Sequence, residues 1–495
     1  MKRSFILILI IIGITSDIFS QHQEDTFYAT MSLSDAKELK RKHPSEITIL
    51  DRKRNDAAVL LTDLGGHLLH EQILVHGPGY IFAHSEKEAI AAIQASYNTK
   101  FKNAVDYTIT ENATVDQVLP VINVDNIADH IKELEAYGSR FHSDKNGKQS
   151  AIDLKAKWEK MAKFYNRDDV SVRLFNHSRT PMPSVIMTIE GTEFPDQYVV
   201  VGGHLDSTSR HIIDSSNEKS EKIAPGADDD ASGIATITES ARALFEIGFK
   251  PKRTIEIMAY AAEEIGLLGS LEIAQEYRSQ NKNVLAVGQF DMTLYNGSTK
   301  DIYFVEDKGV TDIELTDFFE SLLDYYNTEG EHKITYGFTS CGYSCSDHHS
   351  WGTQGFRAAF PFESNIRVNP NVNIHTKNDK FSFIGTANHA VKFAKLCSEF
   401  LIEVAKDSRK TLSVANQNKQ NNFKIYKKEQ RLFYELPGNQ KAKSFQLFDI
   451  NGKMILSSEL SGNTGTIALS NLASGVYVIT VTSTADKLMT QKIVY

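Results

Sequence analysis

The sequence predicts an α/β fold: a mostly parallel central sheet flanked by helices, preceded by a small leading domain and followed by an all-β sandwich. Three observations carry this. From about residue 170 to 400, apolar strand-like runs alternate with helical patterns, the order that builds a largely parallel sheet. These runs end on acidic residues or histidine, as in VVVGGHLDS, Val199 to Ser207. Past residue 424 the helical patterns stop, and short alternating strands separated by turn residues take over.

Lys2 and Arg3 followed by the apolar run Phe5 to Ile12 read as a secretory signal peptide over residues 1–20, cleaved after Ser20. An uncleaved anchor is the alternative, and no other stretch is long enough to cross a bilayer. At 495 residues the chain has room for about two to four domains. A net charge of -9 without a basic cluster argues against nucleic acid as a partner. Residues 21–115 hold strand-like ITIL and AAVLL, a turn at Gly65-Gly66 and a helix-like SEKEAIAAIQASY, with none of the chemistry found later. A small leading domain on an exported chain suggests a pro-segment; an accessory module is the alternative.

The central block spans residues 125–408. DNIADHIKELEAYG is helical, and Ser150 to Tyr165 is amphipathic with Leu154, Trp158 and Met161 on one face. Strands follow at VSVRLF, SVIMTIEG and QYVVVGG, then an acidic glycine loop running into a helix, GADDDASGIATITESARALFEIG. TIEIMAYAAEEIGLLGS, VLAVGQFD and FRAAFPFE repeat the pattern of an apolar strand with acid beyond it, and a helix from Thr386 to about Lys406 closes the block. Residues 409–424, which include the Asn/Gln-rich Leu412 to Asn422, read as a linker. Residues 425–495 read as a small β-sandwich.

Strand ends in such a sheet share one edge, where open α/β folds place their ligands. His204, Asp206, the Asp228 to Asp230 run, Glu263, Glu264, Asp291 and His375 all fall there. In an extended segment residues i and i+2 face the same way, so Asp206 can fix the tautomer of His204 and leave its other nitrogen for a metal. Singly, each residue has an ordinary explanation in turns and helix starts. Together, two His and three carboxylates, one of them bridging, are what a two-metal hydrolase requires. Three ligating carboxylates around one divalent ion would leave net negative charge in a dry cleft, whereas two ions and a hydroxide bring the set to zero. Of the three cysteines, Cys341 and Cys345 in CGYSC can close a small-loop disulfide after export, and Cys397 reads as a buried free thiol.

HLDS, GADDDASG, AAEEIGLLGS, QFDM, CGYSCSDH and PFESN...NIHTKND together resemble the M28 family of co-catalytic zinc aminopeptidases, close to the secreted bacterial leucyl aminopeptidases, over residues ~125 to ~408. The resemblance implies the zinc exopeptidase fold and two Zn²⁺ per chain, with Mn²⁺ or Co²⁺ as other fillings. It assigns His204 and Asp291 to one ion, Glu264 and His375 to the other, and Asp229 to both. Glu263 becomes the general base acting on a metal-bridged hydroxide, Asp206 the partner of His204, and Tyr343 the group that steadies the oxyanion. Met292, Tyr343, Phe362 and Ile366 line the first side-chain pocket, so the substrates are peptides with a free N-terminus and a large apolar first residue. His348 and His349 are structural in the family. A carboxypeptidase or dipeptidase would share the metal set; a glutaminyl-cyclase-like enzyme keeps one zinc, and a non-catalytic surface receptor loses the base or a ligand.

The C-terminal stretch has its own likeness. FQLFDINGKMI...LSNLASGVYVITV...KIVY is similar to the type A sorting domains of the type IX secretion system of Bacteroidota, through the NGK turn, the L-x-x-GVY motif and the terminal basic-apolar strand. This implies a secreted or cell-surface protein whose partners include the type IX machinery. An ordinary β-sandwich that binds carbohydrate or another partner is the alternative.

Overall fold

The computed structural model describes residues 26–72, 76–94, 105–209, 223–307 and 309–409, and, further on, 424–428, 431–436, 441–449, 453–469, 472, 476–484 and 488–494. The signal peptide and the linker segment Leu412 to Asn422 lie outside them. The chain divides into two compact units, Met1–Arg409 and Lys410–Tyr495.

The first unit opens with β1 (Thr26–Ser32), α1 (Leu33–Lys42), β2 (Ile47–Lys53), β3 (Asp56–Thr62), α2 (Asp63–Gln72), β4 (Tyr80–Ala83) and α3 (Glu86–Gln94). The strands form an antiparallel sheet in the order β2-β3-β1-β4, packed on a core that includes Phe27, Met31, Leu39, Val59 and Leu61. Gly65 and Gly66 are not a turn: they lie inside α2. Close approach explains them, since a Cβ on Gly65 would stand 2.5 Å from the Glu46 carbonyl oxygen and one on Gly66 3.1 Å from the Tyr80 hydroxyl.

The helices α4 (Asn112–Val118), α5 (Val124–Glu135) and α6 (Lys145–Phe164) lead into the main sheet. α6 begins five residues before the amphipathic pattern is visible, because its first turn is polar; its buried face is carried by Leu154 and Trp158. Then come β5 (Val170–Phe175), β6 (Ser184–Ile189), β7 (Phe194–His204), α7 (Ala231–Glu246), β8 (Arg253–Tyr260), α8 (Leu268–Ser279) and β9 (Asn283–Gln289). β10 (Ile302–Val305), α9 (Ile313–Tyr326), β11 (Tyr336–Thr339), α10 (His348–Thr353), β12 (Ala358–Ala359), β13 (Pro361–Phe362), α11 (Phe381–Ile384) and α12 (Asn388–Ala405) complete the unit.

The main sheet runs β12-β9-β7-β8-β6-β5, parallel from β12 to β8 and antiparallel over the last two pairs. Val199 to Val201, with no polar side chain, sit at its centre and are fully buried, as inner parallel strands require. α7 is buried along nearly its whole length between this sheet and the helices α5 and α12. FRAAFPFE divides into two strands: β12 extends the main sheet, and β13 pairs with β10 in a smaller sheet, β11-β10-β13. Pro361, which has no N–H to give a central ladder, marks the switch.

The second unit is all β, with β14 (Lys424–Lys428), β15 (Arg431–Glu435), β16 (Ala442–Asp449), β17 (Met454–Glu459), β18 (Thr464–Ala468), β19 (Val476–Ser483) and β20 (Leu488–Val494). Two antiparallel sheets, β14-β15-β18 and β17-β16-β19-β20, share one core of alternating inward residues such as Leu432, Phe445, Ile467 and Ile479. Because each unit has its own core, a chain ending at Arg409 is expected to fold with an unchanged melting transition for the first unit, checked by calorimetry against the full chain.

Candidate metal centre

Strand register gathers the site. β7, β8 and β9 run in one direction, with His204 opposite Tyr260 and Gly202 opposite Gln289, so the residues that follow each strand leave at one edge. His204 and Asp206 come from β7, Glu263 and Glu264 from the end of β8, and Asp291 from the end of β9. The loop entering α7 brings Asp229, and Gly203 is what lets that loop come so close: a Cβ there would stand 2.6 Å from Asp230 Oδ2. His375 arrives from the loop before α11 with a left-handed backbone, φ 56°.

Two donor groups result. Ligand atoms of His76, His204, Asp229 and Asp291 lie within 4.8 Å of one another, and so do those of Asp229, Glu264 and His375. His204 Nε2 is 2.9 Å from Asp229 Oδ1 and 3.5 Å from Asp291 Oδ1. His375 Nε2 is 3.0 Å from Asp229 Oδ2 and 3.0 Å from Glu264 Oε2. Donors placed tetrahedrally at zinc bond lengths stand ~3.4 Å apart, so both groups have the spacing that zinc needs. Asp229 turns one oxygen to each.

Protonation points the same way. His204 Nδ1 lies 3.0 Å from the Asp206 carbonyl, which can only accept, so Nδ1 carries the hydrogen and Nε2 offers a lone pair. A lone pair aimed at carboxylate oxygens is repulsive unless a cation lies between them. His204 Nε2, Asp229 Oδ2, Asp291 Oδ1 and both carboxylate oxygens of Glu263 are buried without a hydrogen bond, the condition of groups built to meet one. Without a cation a proton on Nε2 relieves that repulsion: burial resists charging of His204, yet Asp291 and its neighbours hold its pKa well above the ordinary histidine value, so a metal ion bound there would take the proton's place. Burial likewise resists ionisation of Asp229, yet His76, His204 and His375 hold it well below the usual carboxylate range. Burial pushes the Glu263 carboxyl well up, with His204 opposing and Glu264 adding to the rise.

Around these groups a shell of hydrogen bonds fixes the backbone. The Asp206 carboxylate accepts the amides of Glu263 at 3.0 Å and Glu264 at 3.2 Å, and its Oδ1 is 3.6 Å from His204 Nδ1. Asp206 therefore positions the glutamate pair with its carboxylate and the imidazole with its carbonyl. Asp228 accepts from Leu294 N and Asn371 Nδ2, and Asp230 from the amides of His204, Gly233 and Met292. Of the three consecutive aspartates, only Asp229 belongs to the donor groups.

Met292, Phe362 and Ile366 form one buried apolar cluster with the Cys341–Cys345 disulfide, and Tyr343 packs on it. His348 packs at a tilt against Phe360 and His349 lies beside it, both outside the donor groups. Cys397 is a buried free thiol whose pKa burial pushes up to about 12.

Four contributors were not legible in the sequence. Ser346 Oγ donates to Asp291 Oδ2 at 2.5 Å, and the Asp379 carboxylate accepts the amides of Asp228 and Asp229. Arg140, fully buried, donates to the carbonyls of Leu134, Leu205, Pro225 and Gly226, clamping the loop after β7 to the loop that carries Asp229. The fourth, His76, corrects the reading that the leading region holds none of the chemistry. The only local signal for it is the HGPG run, whose two glycines both adopt positive φ.

The sheet and the gathered strand ends define the zinc-aminopeptidase fold. Solved structures with this fold include LapB of Legionella pneumophila (TM-score 0.66, 26% identity, covering 77% of this chain and 100% of that one) and the LapA aminopeptidase of the same organism (TM-score 0.66, 27% identity, 78% and 99%). Residues 184–401 match peptidase family M28. A probable aminopeptidase of Saccharomyces cerevisiae is 31% identical over 300 residues, covering 60% of this chain and 77% of its own length. Leucine aminopeptidase 1 of Phaeosphaeria nodorum is 33% identical over 302 residues, covering 59% and 74%. The chain belongs to peptidase family M28, and these relatives support a hydrolase of the aminopeptidase kind. Residues 419–495 match the secretion system C-terminal sorting domain.

Replacing Arg140 with Met would remove the guanidinium from four carbonyls, of which those of Leu134 and Gly226 keep a backbone amide donor while those of Leu205 and Pro225 lose this donor. The expected loss is about 3 kcal/mol or more in denaturant unfolding of the protein, with weaker zinc retention because Asp229 and Asp206 sit on the clamped loops.

Proposed function

We propose that this chain is an exported aminopeptidase that uses two zinc ions, held by His204 and Asp291 on one side, Glu264 and His375 on the other and Asp229 between, to release large apolar N-terminal residues. The observation that carries the reading is Asp229, whose two oxygens serve two separate donor groups. Bound there, the pair of ions would polarise the scissile carbonyl and acidify the attacking water. Glu263 takes the proton from that water and returns it to the leaving amine; its two oxygens are buried and carry no hydrogen bond, which leaves them available to accept it. The Tyr343 hydroxyl donates to the developing oxyanion. Asp291 and Glu264 sit where a free α-amine would meet negative charge, so a blocked N-terminus is disfavoured.

The cluster of Met292, Phe362 and Ile366 supports the specificity, since it offers no charge to a basic or acidic side chain. Burying a Leu side chain there contributes ~1.5 to 3 kcal/mol, enough to favour Leu over Gly or Asp by about ten- to a hundredfold in kcat/KM. The sorting-domain match supports export through the type IX machinery, with the protein ending secreted or at the cell surface. The leading domain is the pro-segment in this reading.

Glu263→Gln is expected to keep ~2 equivalents of zinc and lose turnover on the order of 10²-fold or more, while Glu264→Gln weakens zinc binding instead. Metal analysis beside turnover numbers checks this, and swapped phenotypes would contradict the roles. On a panel of aminoacyl-coumarins Leu, Phe and Met should lead, and N-acetylated peptides should resist; cleavage of N-blocked but not C-blocked peptides would point to a carboxypeptidase.

A further inference from the structure

We propose that His76 of the leading domain is itself a metal ligand, closing the coordination of the ion held by His204, Asp229 and Asp291 and thereby keeping the full chain latent. This rests on the two-metal reading above. His76 Nδ1 is bonded to the Cys345 carbonyl, which can only accept, so the hydrogen is on Nδ1 and the Nε2 lone pair is turned inward. Nε2 lies 3.2 Å from Asp291 Oδ1 and 3.3 Å from Asp229 Oδ1, the spacing that His204 shows on the same carboxylates. The side chain is 1% exposed, so no solvent competes for that lone pair.

The count of donors gives this its consequence. Zinc sites that catalyse keep one position open for water and substrate, whereas closed four-ligand sites are structural. With His76, the first group presents two imidazoles and two carboxylates, a complete tetrahedron; the second group, Asp229, Glu264 and His375, remains at three. His76 also stands in the substrate's place. Its backbone carbonyl accepts the Tyr343 hydroxyl at 2.6 Å, the bond assigned above to the oxyanion, and its ring lies 6.1 Å from that of Phe362.

The fold holds the histidine there. Gly77 has φ 71°, and a Cβ on it would stand 2.7 Å from the Cys345 carbonyl oxygen, so only glycine lets the chain descend this far. On the far side of the loop the Phe82 amide donates to the Gly266 carbonyl at 3.1 Å, just past Glu264, and Arg179 stacks on the Phe82 ring at 4.5 Å. Gln275 of α8 donates to Glu88 of α3 at 2.9 Å. Displacing the leading domain would withdraw His76 and reopen the fourth position.

The test uses the full chain, zinc-loaded, as unsubstituted protein, His76→Ala and Gly77→Val, the last keeping the imidazole but lifting the loop. Two quantities are read: the rate at which each zinc passes to a chromogenic chelator, and turnover of leucyl-coumarin. Both substitutions are expected to speed release of one of two zincs roughly tenfold or more and to raise turnover by a similar factor. Two zincs bound with identical release and turnover in all three proteins would overturn the proposal and leave the two-metal reading standing. Faster zinc release without a rise in turnover would overturn the latency, and failure of the unsubstituted chain to bind two zincs would overturn both readings.

Discussion

Buried negative charge is the constraint on which the site depends. Asp206, Asp228, Asp229, Asp230, Glu263, Glu264, Asp291 and Asp379 are each at most 3% exposed, and all are gathered at one edge of the main sheet. Removing ionised carboxylates from water costs several kcal/mol each unless they are compensated. Half of these find backbone amides: Asp206 those of Glu263 and Glu264, Asp228 that of Leu294, Asp230 those of His204, Gly233 and Met292, Asp379 those of Asp228 and Asp229. Arg140 brings a fixed positive charge close by, and burial lowers its own pKa while Asp379, Asp230 and Asp206 raise it. Of the four left over, Asp229, Glu264 and Asp291 are those whose oxygens meet imidazole nitrogens at ligand spacing, and Glu263 stands beside them without a hydrogen bond. In the two-metal reading proposed above, cations at the two donor groups would complete the compensation.

The register of the parallel core therefore matters most at its carboxyl end. The register of β7 shifts between Phe194 and Val199, but from Val199 onward it pairs without a break with β8 and β9, and the pairing of Gly202 with Gln289 and His204 with Tyr260 sets where each following residue emerges. A one-residue slip would turn every strand-end side chain to the other face and disperse the donor set. Gly203 and the buried α7 are parts of the same arrangement, because the Asp229 loop must approach the sheet within the space that a Cβ would fill.

Which parts could be read in the sequence follows from how local they are. His204, Asp206, Glu263, Glu264 and Asp291 sit directly after apolar strand runs, so pattern and spacing exposed them together with His375 and the Asp228 to Asp230 run, and the family likeness singled out Asp229 from that run. The pocket residues came from that likeness alone, and the structure packs them in one cluster with the disulfide. Arg140, Ser346 and Asp379 act on loops far away in the chain through single hydrogen bonds or backbone carbonyls, which leave no periodicity. His76 lies 153 residues before Asp229 and 269 before Cys345, in a domain with a sheet of its own, and no local rule connects them. The early start of α6 and the split of FRAAFPFE at Pro361 were hidden for a smaller reason: a polar first turn and a proline inside an apolar run carry weak signals.

The leading domain thus has two physical relations to the rest of the first unit: it covers the edge where charge is concentrated, and it lends that edge a histidine. The most direct measurement is a crystal structure of the zinc-loaded full chain with anomalous data on both sides of the zinc absorption edge. Two anomalous peaks are predicted, each ~2.0–2.2 Å from its donor atoms and flanking Asp229, one among His76, His204 and Asp291 and the other between Glu264 and His375. A single peak at saturating zinc, or peaks that leave Asp229 unligated, would contradict a two-metal centre.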